Sequence, residues 1–197
     1  MDIKDKFCSQ CATYMERHPE TELWLKCPVC GFCKLVRKKD KLLMTPLTQE
    51  QAKARYGAIV DGKWQDEAKW MVVYQTPQWF IDIVTNSATQ QPTKKIYMNK
   101  DITQAFGKAL ENLHSSGCYK ELKTFDGCFQ IRDIRGVPGQ LSTHAYGLAI
   151  DFNAKENGLN KEPKLSKEFV ECFTKEGFKW GGDFKRKDGM HFQFALW

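Results

Sequence analysis

Residues 141–153 read LSTHAYGLAIDFN, and a second short motif, DGMH, ends at His191. The first motif contains His144, which Asp151 follows by seven positions, and the second begins with Asp188. A catalytic zinc ion typically takes three ligands from His, Asp or Glu side chains and keeps one position open. The pattern therefore predicts a metal site formed by His144, Asp151 and His191.

Local patterning indicates how these ligands would meet. Residues 148–152 alternate as a β-strand does, so Asp151 would project away from its apolar neighbours. His191 lies in a second strand-like run, residues 190–194. Two neighbouring strands and the loop before one of them would bring the ligands together, and Gly147 would let the chain turn close to the metal. Such a sheet predicts an α+β fold.

The motif S-x-H-x-x-G-x-A-x-D at residues 142–151, followed by D-x-x-H at residues 188–191, resembles the signature of a family of zinc peptidases. That family includes D-alanyl-D-alanine carboxypeptidases and phage L-alanyl-D-glutamate endolysins. The resemblance implies zinc as the catalytic cofactor, with His144, Asp151 and His191 as its ligands. It also implies a small, mainly antiparallel sheet with helices, as in hedgehog proteins and D-Ala-D-Ala peptidases.

Roles for the neighbouring polar residues follow from the same resemblance. Asp188 would be the catalytic acid and base, although some relatives have glutamate at this place. An arginine upstream of the serine would contact the substrate carbonyl oxygen; Arg132 fits that place best, and Arg135 is the alternative. Ser142 would be a substrate-side hydroxyl, and Gln193 would line the strand beside the site.

The N-terminal segment contains a different cysteine pattern. Cys8 and Cys11 are separated by two residues, fifteen residues follow, and Cys27 and Cys30 are again separated by two. This spacing is typical of a structural zinc site, in which four thiolates close the coordination sphere. So small a segment needs the metal for its stability. We therefore expect a zinc ribbon with a second, structural zinc ion.

Two partner classes are open for the ribbon. Residues 34–41, KLVRKKDK, are basic and favour nucleic acid. A cell-wall enzyme as the attached domain favours docking to a virion or envelope protein, and we prefer this interpretation. The expected partners are thus a peptidoglycan stem peptide and a docked virion or envelope protein, while nucleic acid is disfavoured.

Composition describes an ordinary soluble protein of 197 residues, with 42% hydrophobic and 27% charged residues and a formal net charge of +6. The first residues, MDIKDK, are charged where a signal peptide needs an apolar run, and no run is long enough for a membrane span. We expect the protein to stay in the cytoplasm of the producing cell and to act on the cell wall after release or from the virion.

The chain divides into three predicted regions: a zinc ribbon at residues 1–41, a connector with an aromatic arm packed on the core at 42–94, and a catalytic domain at 95–197. Capping sequences predict helices that begin after Thr48, Asp101 and Ser166.

Three further segments carry strand predictions. Residues 67–84 read as two short strands, or as a strand and an irregular arm, interrupted at Pro77. Residues 121–135 read as a strand or hairpin that carries Arg132, and residues 136–140 as a turn.

The resemblance to the zinc peptidases implies a zinc metallopeptidase that hydrolyses an amide bond of the peptidoglycan stem peptide. An L-alanyl-D-glutamate endopeptidase of the endolysin or virion-associated type is the first interpretation, and a D,D-carboxypeptidase is the second. Two further functional classes stay open, in which peptidase activity is not the main role of the protein. One is a virion or tail component that uses the peptidase fold as a building block, and the other is a zinc-ribbon protein that binds nucleic acid.

Overall fold

The computed structural model describes residues 46–197 and, within the first 45 residues, only the backbone of three short strands. The chain forms two compact units, Met1–Leu42 and Leu43–Trp197. The cysteines of the predicted zinc ribbon site, Cys8, Cys11, Cys27 and Cys30, lie outside the described residues. The strands of the first unit form an antiparallel sheet in the order β1-β2-β3: β1 (Glu16–Arg17), β2 (Trp24–Lys26) and β3 (Cys33–Leu35).

The second unit combines short helices with small sheets, which confirms the predicted α+β class. Its helices are α1 (Gln49–Tyr56), α2 (Glu67–Trp70), α3 (Gln78–Ile83), α4 (Thr103–Ser116), α5 (Ala154–Asn157) and α6 (Lys167–Thr174). Its strands are β4 (Ile59–Val60), β5 (Lys63–Trp64), β6 (Met71–Gln75), β7 (Thr85–Asn86), β8 (Lys95–Asn99), β9 (Thr124–Gly127), β10 (Asp133–Ile134), β11 (Val137–Leu141), β12 (Ala149–Phe152), β13 (Lys179–Trp180) and β14 (His191–Gln193).

The largest sheet has five strands in the order β13-β14-β12-β9-β7. Strand β12 runs antiparallel to β14 on one side and to β9 on the other, and β7 adds to β9 in parallel. Ile150 and Phe152 of β12 are completely buried in the hydrophobic core, as the alternating pattern predicted. The opposite face of the same two central strands carries Asp151 and His191.

Helices α4 and α6 pack against each other and cover the core. Each has an apolar face with the spacing of an α-helix, and the side chains on these faces are buried. Gly117, in a left-handed conformation, caps the C-terminus of α4, and Ser166 caps the N-terminus of α6 with a hydroxyl that accepts the backbone N–H of Phe169. The buried aromatic residues of the core are Tyr56, Trp64, Phe80, Phe106, Phe125, Tyr146, Phe152, Phe169, Phe173, Phe178, Phe192 and Phe194.

An aromatic cluster joins the segment after α1 to the loop that carries His144. The Tyr146 ring lies 5.7 Å from the Tyr56 ring and 5.3 Å from the Trp64 ring, measured between centroids. The Tyr146 hydroxyl donates to the carbonyl oxygen of Gly57 over 3.0 Å. Because these rings are held from several directions, the cluster fixes the position of the His144 loop.

The prediction of a second strand or irregular arm after Pro77 is wrong, because that segment is helix α3. Proline interrupts a strand because it lacks a backbone N–H, but its fixed φ also suits the start of a helix. Pro77 stands immediately before α3, and its carbonyl oxygen accepts the backbone N–H of Phe80. The start of the segment also differs from the prediction, because Glu67–Trp70 is helix α2 and only Met71–Gln75 is a strand, and Phe80 of α3 is buried.

Three further local predictions are wrong. Strand β9 ends at Gly127, before Arg132, and the predicted turn at residues 136–140 is mostly strand β11, paired with β10. This hairpin is exposed and lacks the apolar alternation by which sequence patterns reveal strands. Asp101 does not cap α4. Its carboxylate accepts hydrogen bonds from Arg55 and Tyr56 instead, and a short 3₁₀ turn precedes the helix.

In the part of the chain that the structure describes, no helix combines the length and apolar character needed to cross a bilayer.

Candidate functional site

His144 is presented by a one-turn 3₁₀ segment, Thr143–Tyr146, between β11 and β12. Ser142 opens this turn, and its hydroxyl accepts the backbone N–H of His144 over 3.4 Å. Gly147 closes it with a left-handed φ of +64°. A Cβ atom at Gly147 would lie 2.9 Å from the backbone nitrogen of Asn99, so both the conformation and the close approach require glycine.

Asp151 and His191 are brought together by strand pairing. They are directly opposed partners in the antiparallel ladder between β12 and β14. Side chains of opposed residues project from the same face of a sheet with their Cβ atoms about 5 Å apart. The Oδ1 atom of Asp151 lies 2.9 Å from Nδ1 of His191.

Three possible metal-ligand atoms converge at this point. Nε2 of His144 lies 3.1 Å from Nδ1 of His191 and 3.2 Å from Oδ1 of Asp151. All three side chains are buried. A tetrahedral zinc ion with ligand bonds of about 2.0–2.1 Å holds neighbouring donor atoms roughly 3.3 Å apart. The sequence-predicted trio thus has a spacing that fits zinc.

The other nitrogen of each imidazole faces a hydrogen-bond acceptor. Nδ1 of His144 lies 2.8 Å from the backbone carbonyl oxygen of Cys128, and Nε2 of His191 lies 2.9 Å from Oε1 of Gln193. Each ring therefore carries its N–H on the side of the acceptor and turns a lone pair toward Asp151. Partners of this kind fix ring orientation in metal sites. Two lone pairs and a carboxylate facing one another form a site for a cation.

Electrostatics agree with this interpretation. Burial opposes ionisation of Asp151, but the neighbouring imidazoles of His144 and His191 hold its pKa below the usual range. Burial also disfavours a charged His191, yet the hydrogen bond and charge of Asp151 raise the pKa of His191 above its ordinary value. The site therefore favours positive charge between these side chains, whether carried by a proton or by a metal ion.

Asp188 lies beside the three candidate ligands. It lines a surface cleft that His191 also lines. Its backbone oxygen accepts the N–H of His191 over 3.0 Å, and its own N–H donates to Gly181 over 2.9 Å. The carboxylate oxygen Oδ1 is buried without a hydrogen-bond partner among the described residues. Burial raises the pKa of Asp188. A raised pKa and an unpartnered oxygen suit a group that exchanges protons with a substrate or water.

Both candidate arginines reach the cleft. Arg132 is partly buried, and its guanidinium donates to Oε1 of Gln130 over 3.2 Å and to the carbonyl oxygen of Asp133 over 3.0 Å. Burial and the nearby charge of Arg135 lower the pKa of Arg132. Arg135 is exposed. Burial raises the pKa of Asp188, and the positive charge of Arg135 partly opposes this by lowering it. One arginine is therefore fixed to the protein and the other lies at the surface.

The cleft has a volume of about 340 Å³, and Ser142 and Gln193 lie in its wall. The Ser142 hydroxyl also caps the His144 turn, and the Gln193 amide also supports His191. The cleft thus contains six of the predicted residues of the second unit, including His191, whereas His144 and Asp151 contact His191 but do not line the cleft. The residues that line it are Arg132, Ile134, Arg135, Ser142, Thr143, Leu159, Phe184, Lys185, Arg186, Asp188, Met190, His191, Gln193 and Trp197.

Residues 135–194 match the family model of D-alanyl-D-alanine carboxypeptidase. The matched stretch includes the three convergent residues and Asp188, whereas Arg132 lies just before it. The match supports a metallopeptidase related to peptidoglycan at the level of the family. No curated protein sequence matches the chain significantly.

Several groups at the site were not identified by sequence reasoning. The backbone carbonyl of Cys128 has no signature in the side-chain pattern, although it orients His144. Thr143 belongs to the motif at residues 141–153, and its hydroxyl lies 3.4 Å from Nε2 of His191. Lys185 and Arg186 belong to a basic run, KRK, that could have drawn attention because it immediately precedes Asp188.

Proposed function

We propose that this chain is a zinc-dependent peptidase that hydrolyses an amide bond in the stem peptide of peptidoglycan. The specific activity we propose is that of an L-alanyl-D-glutamate endopeptidase, acting as a phage endolysin or virion-associated lysin. The observation that supports it most strongly is the convergence of His144, Asp151 and His191 at one point, with His191 and Asp188 both lining an open cleft. A D,D-carboxypeptidase is the second candidate, favoured by the description of the matching family.

His144, Asp151 and His191 would hold a zinc ion, which would supply Lewis acidity at the scissile carbonyl group. Asp188 accepts a proton from the attacking water, whose oxygen forms the new bond to the carbonyl carbon. Arg132 donates hydrogen bonds to the carbonyl oxygen while negative charge develops there. Asp188 then passes the proton to the amine nitrogen as the carbon–nitrogen bond breaks.

Digestion of purified peptidoglycan with the full chain, with and without a chelator, tests this proposal. Mass analysis of the fragments reports activity, metal dependence and the bond that is cut. Asp188→Asn should abolish fragment release while metal content is unchanged, because the amide keeps the shape but cannot accept the proton. Asp183→Asn is the matched control, since Asp183 is an exposed acid of the same segment outside the cleft lining.

The products separate the two candidate activities. An L-alanyl-D-glutamate endopeptidase leaves fragments with a new amino-terminal glutamate, whereas a D,D-carboxypeptidase releases single D-alanine molecules. Fragment release that persists in the chelator, or in Asp188→Asn at the rate of the parent chain, would show that the proposed catalytic centre is wrong.

The N-terminal cysteines complete the proposal. We propose that Cys8, Cys11, Cys27 and Cys30 bind a structural zinc ion and that the resulting ribbon docks onto a virion or envelope protein. The cysteine spacing supports the metal, and the wall-directed second unit supports docking over nucleic-acid binding. We further propose that the enzyme reaches the cell wall by release at lysis or by delivery with the virion.

A further inference from the structure

The mouth of the cleft concentrates positive charge. Four of its lining residues are basic: Arg132 and Arg135 on one side, and Lys185 and Arg186 in the segment that leads to Asp188. Asp188 is the single acid among the described residues that line the cleft. We call Arg135, Lys185 and Arg186 the basic rim, because all three are exposed at the surface.

A hydrogen bond to a backbone carbonyl links two residues of the basic rim, and no ion pair among the described residues includes them. A guanidinium nitrogen of Arg186 donates to the carbonyl oxygen of Arg135, which ties the two sides of the cleft mouth to each other. None of the ion pairs found among the described residues includes a residue of the rim. The like charges of Arg132 and Arg135 are close enough to act on each other, which contributes after burial to the lowered pKa of Arg132.

Gathering like charges costs free energy, and a bound anion offsets that cost. Guanidinium groups match carboxylates especially well, since they can donate two parallel hydrogen bonds. Stem peptides carry carboxylates close to their amide bonds, and each can be free or amidated. An amide has the same shape but lacks the charge.

We propose that the basic rim makes this enzyme select stem peptides with a free carboxylate next to the scissile bond over the same peptides with that carboxylate amidated. The inference rests on the proposed peptidase function and adds the substrate class. The carboxylate belongs either to the glutamate residue or to the diamino acid that follows it. The charge requirement is the same in both cases.

Synthetic stem peptides test the inference with the full zinc-loaded chain. Three versions are needed: one with both carboxylates free, one amidated at glutamate, and one amidated at the diamino acid. We expect one of the amidated peptides to be cleaved with kcat/KM roughly two- to fivefold lower, the range for a solvent-exposed charge pair. The difference should shrink at high ionic strength because the rim is exposed to solvent.

Variants then assign the preference to the rim. Lys185→Gln should reduce the preference for the free carboxylate, and Lys185→Arg should retain it. Arg186→Lys keeps the charge and reports whether the bond to Arg135 matters as well. Lys187→Gln is the matched control, since Lys187 is exposed in the same segment, lies outside the cleft lining, and places its Nζ 3.8 Å from Glu162. It should leave the preference as in the parent chain.

The outcomes separate this inference from the proposed function. If all three peptides are cleaved with equal kcat/KM, the selection is wrong and the peptidase function stands. An equal loss of preference in Lys185→Gln and Lys187→Gln would also overturn the role of the rim. If no peptide is cleaved in any form, both the proposed function and the selection fail.

Discussion

Nε2 of His191 lies 2.9 Å from Oε1 of Gln193, and the amide nitrogen of Gln193 donates to the backbone oxygens of Ala195 and Trp197. The amide therefore cannot rotate without losing two hydrogen bonds, and its oxygen remains directed at the imidazole. His191 must carry its proton on Nε2, which leaves Nδ1 free to bind a metal.

Gln193→Leu should weaken zinc binding at this site roughly 10- to 100-fold, because the imidazole loses the acceptor that fixes its orientation. Competition between the full chain and a chelator of known affinity measures the change. Gln193→Glu is the control, since its carboxylate still accepts from Nε2 and should bind zinc at least as well as the leucine variant. Equal zinc affinity of Gln193→Leu and the parent chain would contradict this role.

Gly147→Ala should lower the free energy of unfolding of the second unit by roughly 2–4 kcal/mol. Alanine would adopt a left-handed φ of +64°, and its Cβ would lie 2.7 Å from the Met71 side chain and 2.9 Å from the Asn99 backbone. Urea unfolding followed by tryptophan fluorescence measures the loss.

Gly117→Ala is the control for this effect. Gly117 also has a positive φ, +81°, but a Cβ there would meet nothing within 4 Å. Gly117→Ala should lower the free energy of unfolding by about 1 kcal/mol, because only the backbone conformation is unfavourable for alanine. Equal destabilisation by the two substitutions would mean that the close approach at Gly147 carries no energetic weight.

Gly181→Ala should impair metal binding and turnover together. A Cβ at Gly181 would clash with the carbonyl oxygen of Asp188 and would lie 3.1 Å from Cβ of His191, so the segment between these two residues must move. By contrast, Asp188→Asn should reduce turnover alone. Zinc affinity and peptide cleavage, measured on both variants, check the difference. A Gly181→Ala chain with parental zinc affinity would show that the segment adapts without cost.

The three residues that converge at the candidate metal site were predictable because their chemistry is carried by side chains. The motif around His144 and Asp151 specified the residue types, and the alternation of β12 specified the face on which Asp151 lies. Strand pairing then explains why His191, far away in sequence, stands directly opposite. By contrast, the carbonyl of Cys128 belongs to the backbone, so no side-chain pattern could identify it as the partner of His144.

The errors in the fold prediction have a similar cause. Strand β11 is an exposed edge segment whose register depends on pairing with β10 and on the bond from Gly139 N–H to Asp133. Neither interaction leaves a hydrophobic period in the sequence. Helix α3 was missed because a short apolar run fits a strand as well as a helix, and tertiary burial of Phe80 decides between them.

The proposed ribbon predicts a metal stoichiometry. The full chain should contain two zinc ions, and Cys27→Ser should contain one, because a four-thiolate site does not retain zinc with its usual affinity after losing a ligand. Elemental analysis of purified protein measures this. Cys33→Ser is the control, since Cys33 lies outside the two paired motifs, and it should retain two ions. A parent chain with a single zinc ion would contradict the ribbon site.

Arg132 and Arg135 should differ in the kinetic constant that they affect. Arg132 is partly buried and fixed by bonds to Gln130 and Asp133, so its remaining N–H groups can be pre-oriented toward developing charge. Arg132→Gln should therefore lower kcat roughly 100- to 1,000-fold.

Arg135 is exposed at the cleft mouth, and Arg135→Gln should mainly raise KM. Steady-state cleavage of a soluble stem peptide measures both constants, with Lys187→Gln as the control. A loss of kcat in Arg135→Gln, together with only a higher KM in Arg132→Gln, would reverse the two assignments.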